Sequence, residues 1–191
     1  MRILVLSDTH GETSRVYKVY EKLSSQGPLD LIIHCGDYYK DAIQIGERTG
    51  IPVAWVKGNT DGSFSENEYT IVETEFGNLL VTHGHMENVD FSQQNLYYKA
   101  LEKGCCAAIY GHTHRAVFTE AGGVYLLNPG SLSKPRDGSG GTFGLILTSQ
   151  EHFRGYIYHY NDFLSKNEKT GGGSKVQGGY LRNLLNYSDR F

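Results

Sequence analysis

The sequence predicts an α/β fold in which two β-sheets pack face to face with helices on the outside. Three observations carry that prediction. The first third of the chain alternates short apolar runs with segments of helical period, the order expected of parallel strands joined by helices. From residue 116 to residue 160 the chain holds only alternating or apolar runs separated by polar and Gly-rich turns, which calls for a second layer of strands. Apolar runs end again and again in Asp, Asn or His beside glycine, the composition of functional loops at strand ends.

Taken in order, residues 2–7 read as a buried strand and 13–25 as a helix, with Val16, Val19, Tyr20 and Leu23 on one face and Thr13 or Ser14 as its cap. Gly27-Pro28 ends it. Leu29 to Ile33 form a second strand, 41–48 a short helix, and Val53 to Val56 a third strand after Gly50-Ile51-Pro52. Strand, helix, strand, helix, strand implies three parallel strands linked by right-handed crossovers. Beyond a loop at 62–68, Tyr69 to Phe76 and Leu79 to Thr82 flank Gly77-Asn78 and read as a hairpin. A helix over about 92–103, carrying Leu96, Tyr97 and Leu101, stops at Gly104, and Cys106 to Tyr110 follow as a strand. Residues 116–121, 124–128, 142–149 and 153–160 are then expected to form a second, antiparallel sheet stacked on the first.

Residues 1–165 are expected to form the compact domain. Lys166 to Lys175, with Gly171-Gly172-Gly173-Ser174, have a linker composition, so 166–191 are read as a linker and a short tail. In that tail Val176, Tyr180, Leu181, Leu184 and Leu185 fall at helical spacing, and a helix over 179–187 could pack on the domain or on a partner, leaving a homo-oligomer open.

A chain of 191 residues can bury one sizeable core. A net charge of −3 offers no broad attraction for long nucleic acid and fits a small phosphorylated substrate better. The apolar run near the N-terminus is four residues long, too short for a spanning helix or a signal-peptide core, so a cytoplasmic protein with no membrane partner is expected. Cys35, Cys105 and Cys106 lack Cys-x-x-Cys spacing and lie in or beside apolar stretches, which favours reduced structural thiols.

The chemistry gathers at five strand ends: Asp8 with His10, Asp37, Asn59, His83 with His85, and His112 with His114. Side chains at i and i+2 of an extended segment leave the same face, so Asp8 and His10 are expected to address one object, most naturally a metal ion. Oxygen and nitrogen donors without thiolate suit manganese, iron, cobalt, nickel or zinc over calcium or magnesium. His34, His152 and His159 lie outside these loops and read as core or surface residues.

In this order the blocks Asp-x-His, Gly-Asp, Gly-Asn, His-Gly-His and Gly-His-x-His resemble the calcineurin-like metallophosphoesterase superfamily, most closely its small bacterial and archaeal phosphodiesterases, over roughly residues 1–160. The resemblance implies a four-layer α/β/β/α sandwich with two mixed β-sheets. It implies Asp8, His10 and His114 on one ion, Asn59, His83 and His112 on the other, and Asp37 bridging both, with manganese favoured. Two divalent ions about 3.5–4 Å apart can hold a bridging hydroxide as nucleophile and clamp a phosphoryl group. The implied reaction is hydrolysis of a small phosphodiester, a nucleotide among the candidates. The alternatives are a phosphomonoesterase, or an interaction scaffold like the retromer subunit that shares the fold.

The chain departs from the family pattern after the Gly-Asn block, where Thr60 stands in place of the histidine that the phosphoprotein phosphatases and related nucleases carry. General acid help is then expected elsewhere. Asn59, Asp61 and His85 are the candidate catalytic residues, with Asp61 orienting and His85 contacting phosphate or the leaving oxygen. Thr60 and Arg136 are the candidate substrate contacts. A second departure, Arg115-Ala116 after the last block, bears on loop stiffness. Histidine ligands with a free pKa of about 6.5 predict metal affinity that falls on acidification.

Overall fold

The computed structural model describes residues 1–62 and 67–165; the tail helix expected over 179–187 lies outside them. Its first elements are β1 (Arg2–Leu6), α1 (Ser14–Ser25), β2 (Leu31–His34), α2 (Tyr39–Thr49) and β3 (Val53–Trp55). The three strands pair in parallel, Val5 beside Ile33 and Ile33 beside Ala54. Next come the hairpin β4 (Tyr69–Glu73) and β5 (Asn78–Thr82), then α3 (Gln94–Glu102) and β6 (Ala107–Ile109). The chain continues with β7 (Ala116–Ala121), β8 (Val124–Pro129), β9 (Thr142–Thr148), β10 (Phe153–His159) and α4 (Tyr160–Ser165).

Two five-stranded mixed sheets result, ordered β10-β9-β1-β2-β3 and β4-β5-β6-β8-β7. This corrects the expectation that all the late strands form one antiparallel sheet. β9 returns to the first sheet and lies antiparallel to β1, with Leu4 opposite Leu145, and β10 pairs on its outer side. β9 is buried on both faces: Ile146 points between the sheets while Phe143 and Leu145 meet α1 and α4, a pattern suited to the interior of a covered sheet. In the second sheet β5, β6 and β8 run parallel, because α3 supplies the crossover between β5 and β6.

Three buried clusters mark the spaces between four layers. Leu4 and Leu6 of β1 meet Val16, Val19 and Leu23 of α1 and Ile45 of α2. The alternate residues Ile3 and Val5 face Leu79, Val81 and Ile109 of the other sheet. Leu80 and Ala108 point outward to Leu96 and Ala100 of α3. The molecule is an α/β/β/α sandwich. Each fully buried Leu or Ile stabilises it by roughly 1.5–3 kcal/mol, so the sandwich holds the strand ends rigidly.

Candidate metal centre

β1, β2 and β3 of one sheet and β5 and β6 of the other end at one edge of the sandwich, and the loops that follow them carry the predicted residues. Asp8, His10, Asp37 and His114 bring one ligand atom each within 4.8 Å of one another. His114 Nε2 lies 3.3 Å from Asp8 Oδ1 and 3.4 Å from His10 Nε2, and His10 Nε2 lies 3.7 Å from Asp37 Oδ2. On the other side, His83 Nε2 lies 3.4 Å from Asp37 Oδ1 and 3.1 Å from Asn59 Oδ1. Asp37 thus turns one oxygen toward each half of the site.

The tautomers follow from the opposite ring nitrogens. His83 Nδ1 donates to the Cys35 carbonyl at 2.7 Å, and His114 Nδ1 donates to the Lys134 carbonyl at 2.6 Å. Each neutral ring therefore turns an Nε2 lone pair into the site. Burial favours the neutral form, lowering the pKa of His83 to about 4 and displacing His114 and His10 downward as well. Burial also raises Asp8 to about 8, with the Asp37 charge adding to the rise and the hydrogen bond from the His112 N–H opposing it. Among the described residues Asp8 Oδ1 is buried with no hydrogen-bond partner, although His114 Nε2 and His83 Nε2 both point toward it. The convergent oxygen and nitrogen donors suit a first-row divalent ion, which on binding would take the place of the proton that burial leaves on Asp8 at neutral pH.

The loops achieve this convergence through backbone that few side chains adopt. Asp8 (φ 54°), His10 (φ 50°), Asp37 (φ 55°), His112 (φ 69°) and His114 (φ 55°) are all left-handed. Asp8 and His10 consequently meet through a turn and not through the alternation of an extended strand, because β1 already ends at Leu6. Such strain gathers at functional sites and is held by the surrounding structure. Here the hold is visible: Ser131 Oγ and Ser133 Oγ donate to the Asp8 carbonyl, and Asn128 Nδ2 donates to the Gly111 carbonyl. Gly58 is required for close approach, since a Cβ there would fall on Asp37 Oδ1.

Among the other predicted residues, His112 donates its backbone N–H to Asp8 Oδ2 at 3.1 Å, and its ring stands edge-on to His83 with centroids 5.1 Å apart. His85 lies 5.3 Å from the His83 ring, and both of its ring nitrogens are buried without a hydrogen-bond partner among the described residues. Thr60 donates its N–H to Asp37 Oδ1 at 3.1 Å. Asp61 accepts from the Tyr38 and Tyr39 amides at 2.7 and 3.1 Å and, through its other oxygen, from Gly58 at 2.9 Å. It clasps the loop after β3 to the loop after β2. Arg136 is exposed but near enough for its charge to act on Asp8, His10 and His114.

Three residues at the site were not singled out from sequence. Asp90 Oδ2 lies 2.7 Å from His112 Nε2, an orienting contact of the kind that fixes a ligand ring. Lys134 adds positive charge beside His10. His34, read as core or surface, is fully buried, accepts from the Gly36 N–H through Nδ1 and donates through Nε2 to Thr9 Oγ1 at 3.0 Å, joining two of the loops. A hydrophobic run ending in His-Cys-Gly-Asp was the one signal available for His34; Asp90 sits in an ordinary polar turn.

A ring of carboxylates, an amide and imidazoles at the shared edge of two packed sheets defines a metallophosphoesterase. Residues 1–151 match the calcineurin-like phosphoesterase superfamily domain, and the chain belongs to that superfamily. It is 32% identical over 136 residues to the probable metallophosphoesterase YsnB of Bacillus subtilis, an alignment covering 71% of this chain and 78% of that one. It is 27% identical over 170 residues to the phosphodiesterase MJ0936 of Methanocaldococcus jannaschii, covering 81% and 97%. Among solved structures, a predicted phosphoesterase of Streptococcus pneumoniae superposes with a TM-score of 0.70 at 27% identity, covering 84% of this chain and 90% of that one. A Vps29 single mutant of Entamoeba histolytica also superposes at 0.70, with 24% identity and coverage of 83% and 92%, a likeness of fold.

Proposed function

We propose that this chain is a phosphodiesterase that hydrolyses small phosphodiesters at a centre of two divalent ions, manganese being the ion of choice. The observation that carries the reading is the pair of fixed tautomers: His83 and His114 each aim an unprotonated Nε2 at a carboxylate oxygen. Asp8, His10 and His114 would hold one ion, Asn59, His83 and His112 the other, with Asp37 shared between them. Asp37 suits that role because its Oδ2 faces His10 and its Oδ1 faces His83. When bound, the ions supply Lewis acidity toward phosphoryl oxygens and lower the pKa of water to about 7.

The remaining steps belong to the chain. Arg136 and Lys134 place positive charge where the non-esterified oxygens of the substrate would arrive. Thr60 and Asp61 hold the Asp37 and Asn59 loops in register. His85, with neither ring nitrogen hydrogen-bonded among the described residues, is the residue assigned to hand a proton to the leaving oxygen. Free buried thiols at Cys35 and Cys105 fit a reducing, cytoplasmic setting.

A panel of phosphodiesters and phosphomonoesters, assayed with each divalent metal, tests the reading. Diesters cleaved in preference to monoesters support it. Preference for monoesters would make the chain a phosphatase, and no turnover with both ions bound would favour the scaffold.

A further inference from the structure

Tyr38 follows Asp37 and takes φ 74°, a left-handed backbone rarely adopted by a bulky residue. Glycine would sit there without strain, so an aromatic side chain at this position calls for a use. The conformation is enforced from outside. The Tyr38 N–H donates to Asp61 Oδ1 at 2.7 Å, and its carbonyl accepts from the Asp41 N–H at 2.9 Å.

The ring so placed does little for the core. It is 43% exposed, stands edge-on to the His10 ring with centroids 5.4 Å apart, and rests beside Gly11, where even a methyl group would come within 3.7 Å of it. The next residue, Tyr39, is stacked on Trp55 at 5.2 Å. The loop after His85 adds two more uncovered apolar side chains, Met86 (57% exposed) and Phe91 (91% exposed), and Phe91 adjoins the Asp90 that meets His112. An exposed aromatic ring therefore borders a centre whose own chemistry is wholly polar. A ligand matching both would carry a phosphate for the centre and a flat ring for the rim.

We infer that Tyr38 is a specificity-determining residue that stacks on an aromatic ring borne by the ester group, so that the favoured substrates are nucleotide-type phosphodiesters. The inference rests on the phosphodiesterase reading for its chemistry, while the stacking itself can be measured without turnover. Base-on-aromatic stacking lost on alanine substitution corresponds to roughly 5- to 150-fold in affinity.

The test uses the full chain loaded with manganese, and the probes are adenosine 5′-monophosphate and ribose 5-phosphate, which share the phosphate and sugar and differ in the base. Calorimetry should show tighter binding of the nucleotide to the wild type, with the difference removed by Tyr38→Ala and Tyr38→Leu and kept by Tyr38→Phe. Manganese content is measured for each variant, and Tyr38→Phe provides the comparison should the smaller side chains disturb the loop. In turnover, Tyr38→Ala should raise KM for a nucleotide diester while leaving glycerophosphocholine unaffected. Equal binding of the two probes by the wild type, or equal weakening of both in Tyr38→Leu, would overturn the inference. Selective nucleotide binding with no diester hydrolysed would sustain the role of Tyr38 and remove the phosphodiesterase reading instead.

Discussion

His83 Nε2 lies 3.4 Å from Asp37 Oδ1, and at neutral pH neither atom carries a proton. The ring hydrogen of His83 is on Nδ1, given to the Cys35 carbonyl, and burial keeps the ring neutral down to about pH 4. Burial alone would push Asp37 upward, but the neighbouring imidazoles and hydrogen bonds from the Thr60 N–H and hydroxyl hold it below the ordinary carboxylate value. Two electron-rich atoms held this close suit the cation proposed beside them.

The pH dependence should be set by Asp8 more than by the histidines. In the ion-free chain burial raises Asp8 to about 8, so below that pH a cation must displace its proton, whereas His83 at about 4 competes little above pH 5. Metal affinity should rise about tenfold per pH unit from 6 to 8. Calorimetric titration with manganese at pH 6, 7 and 8 checks this, and a flat affinity would contradict it. The ion-free fold should lose stability as pH rises from about 6.5 to 8, where the unfolded chain ionises Asp8 and the native chain retains its proton; from about pH 4 to 6.5 the buried neutral His83 and His34 act the other way.

Asp61→Ala should act through position. Removing a carboxylate that holds the amides of Tyr38, Tyr39 and Gly58 should cost on the order of 2 kcal/mol, read as a fall of roughly 4–8 °C in Tm. Excess manganese should then restore most activity. An unchanged Tm with a lower kcat at saturating metal would instead give Asp61 a direct part in the reaction.

Much of this fold was legible before any coordinates, and the exceptions share a cause. Leu29 to Ile33 and Val53 to Val56 announced parallel strands through their runs and the helices between them, and the strands fall there. Residues 142–149 were equally legible as a strand, yet alternation says that a strand is buried and not which sheet it joins. The candidate site residues were marked by their places after apolar runs. Asp90 carried no such mark, because its meaning comes from His112, 22 residues away. Nor could spacing show that Asp8, His10 and Asp37 take left-handed turns, since Gly11 beside His10 and Gly36 beside Asp37 are the residues that form such turns by preference.

Thr60 cannot protonate a leaving oxygen as readily as an imidazole, so hydrolysis should depend on the leaving group. Phenolic diesters should react well and dialkyl diesters poorly. His85→Ala should steepen that dependence, with losses on the order of 10²- to 10⁴-fold for poor leaving groups, and Thr60→His should flatten it. A leaving-group series on the wild type and both variants decides the matter; a series insensitive to the His85 substitution would remove it as the acid.

Ending the chain at Lys169 should leave metal content unchanged. The last described helix, α4, is anchored by Phe163 against Phe143 at 5.0 Å and Tyr158 at 5.5 Å. Metal analysis of the shortened chain is the check, and loss of binding would extend the domain beyond residue 165.

The shared carboxylate is the centre of the account, and anomalous diffraction from crystals grown with manganese tests it most directly. Wild type should show two peaks about 3.5–4 Å apart, one on each side of Asp37, with both weakened in Asp37→Asn and only the peak beside His10 and His114 lost in Asp8→Asn. A single peak in the wild type, or two peaks of undiminished height in Asp37→Asn, would contradict it.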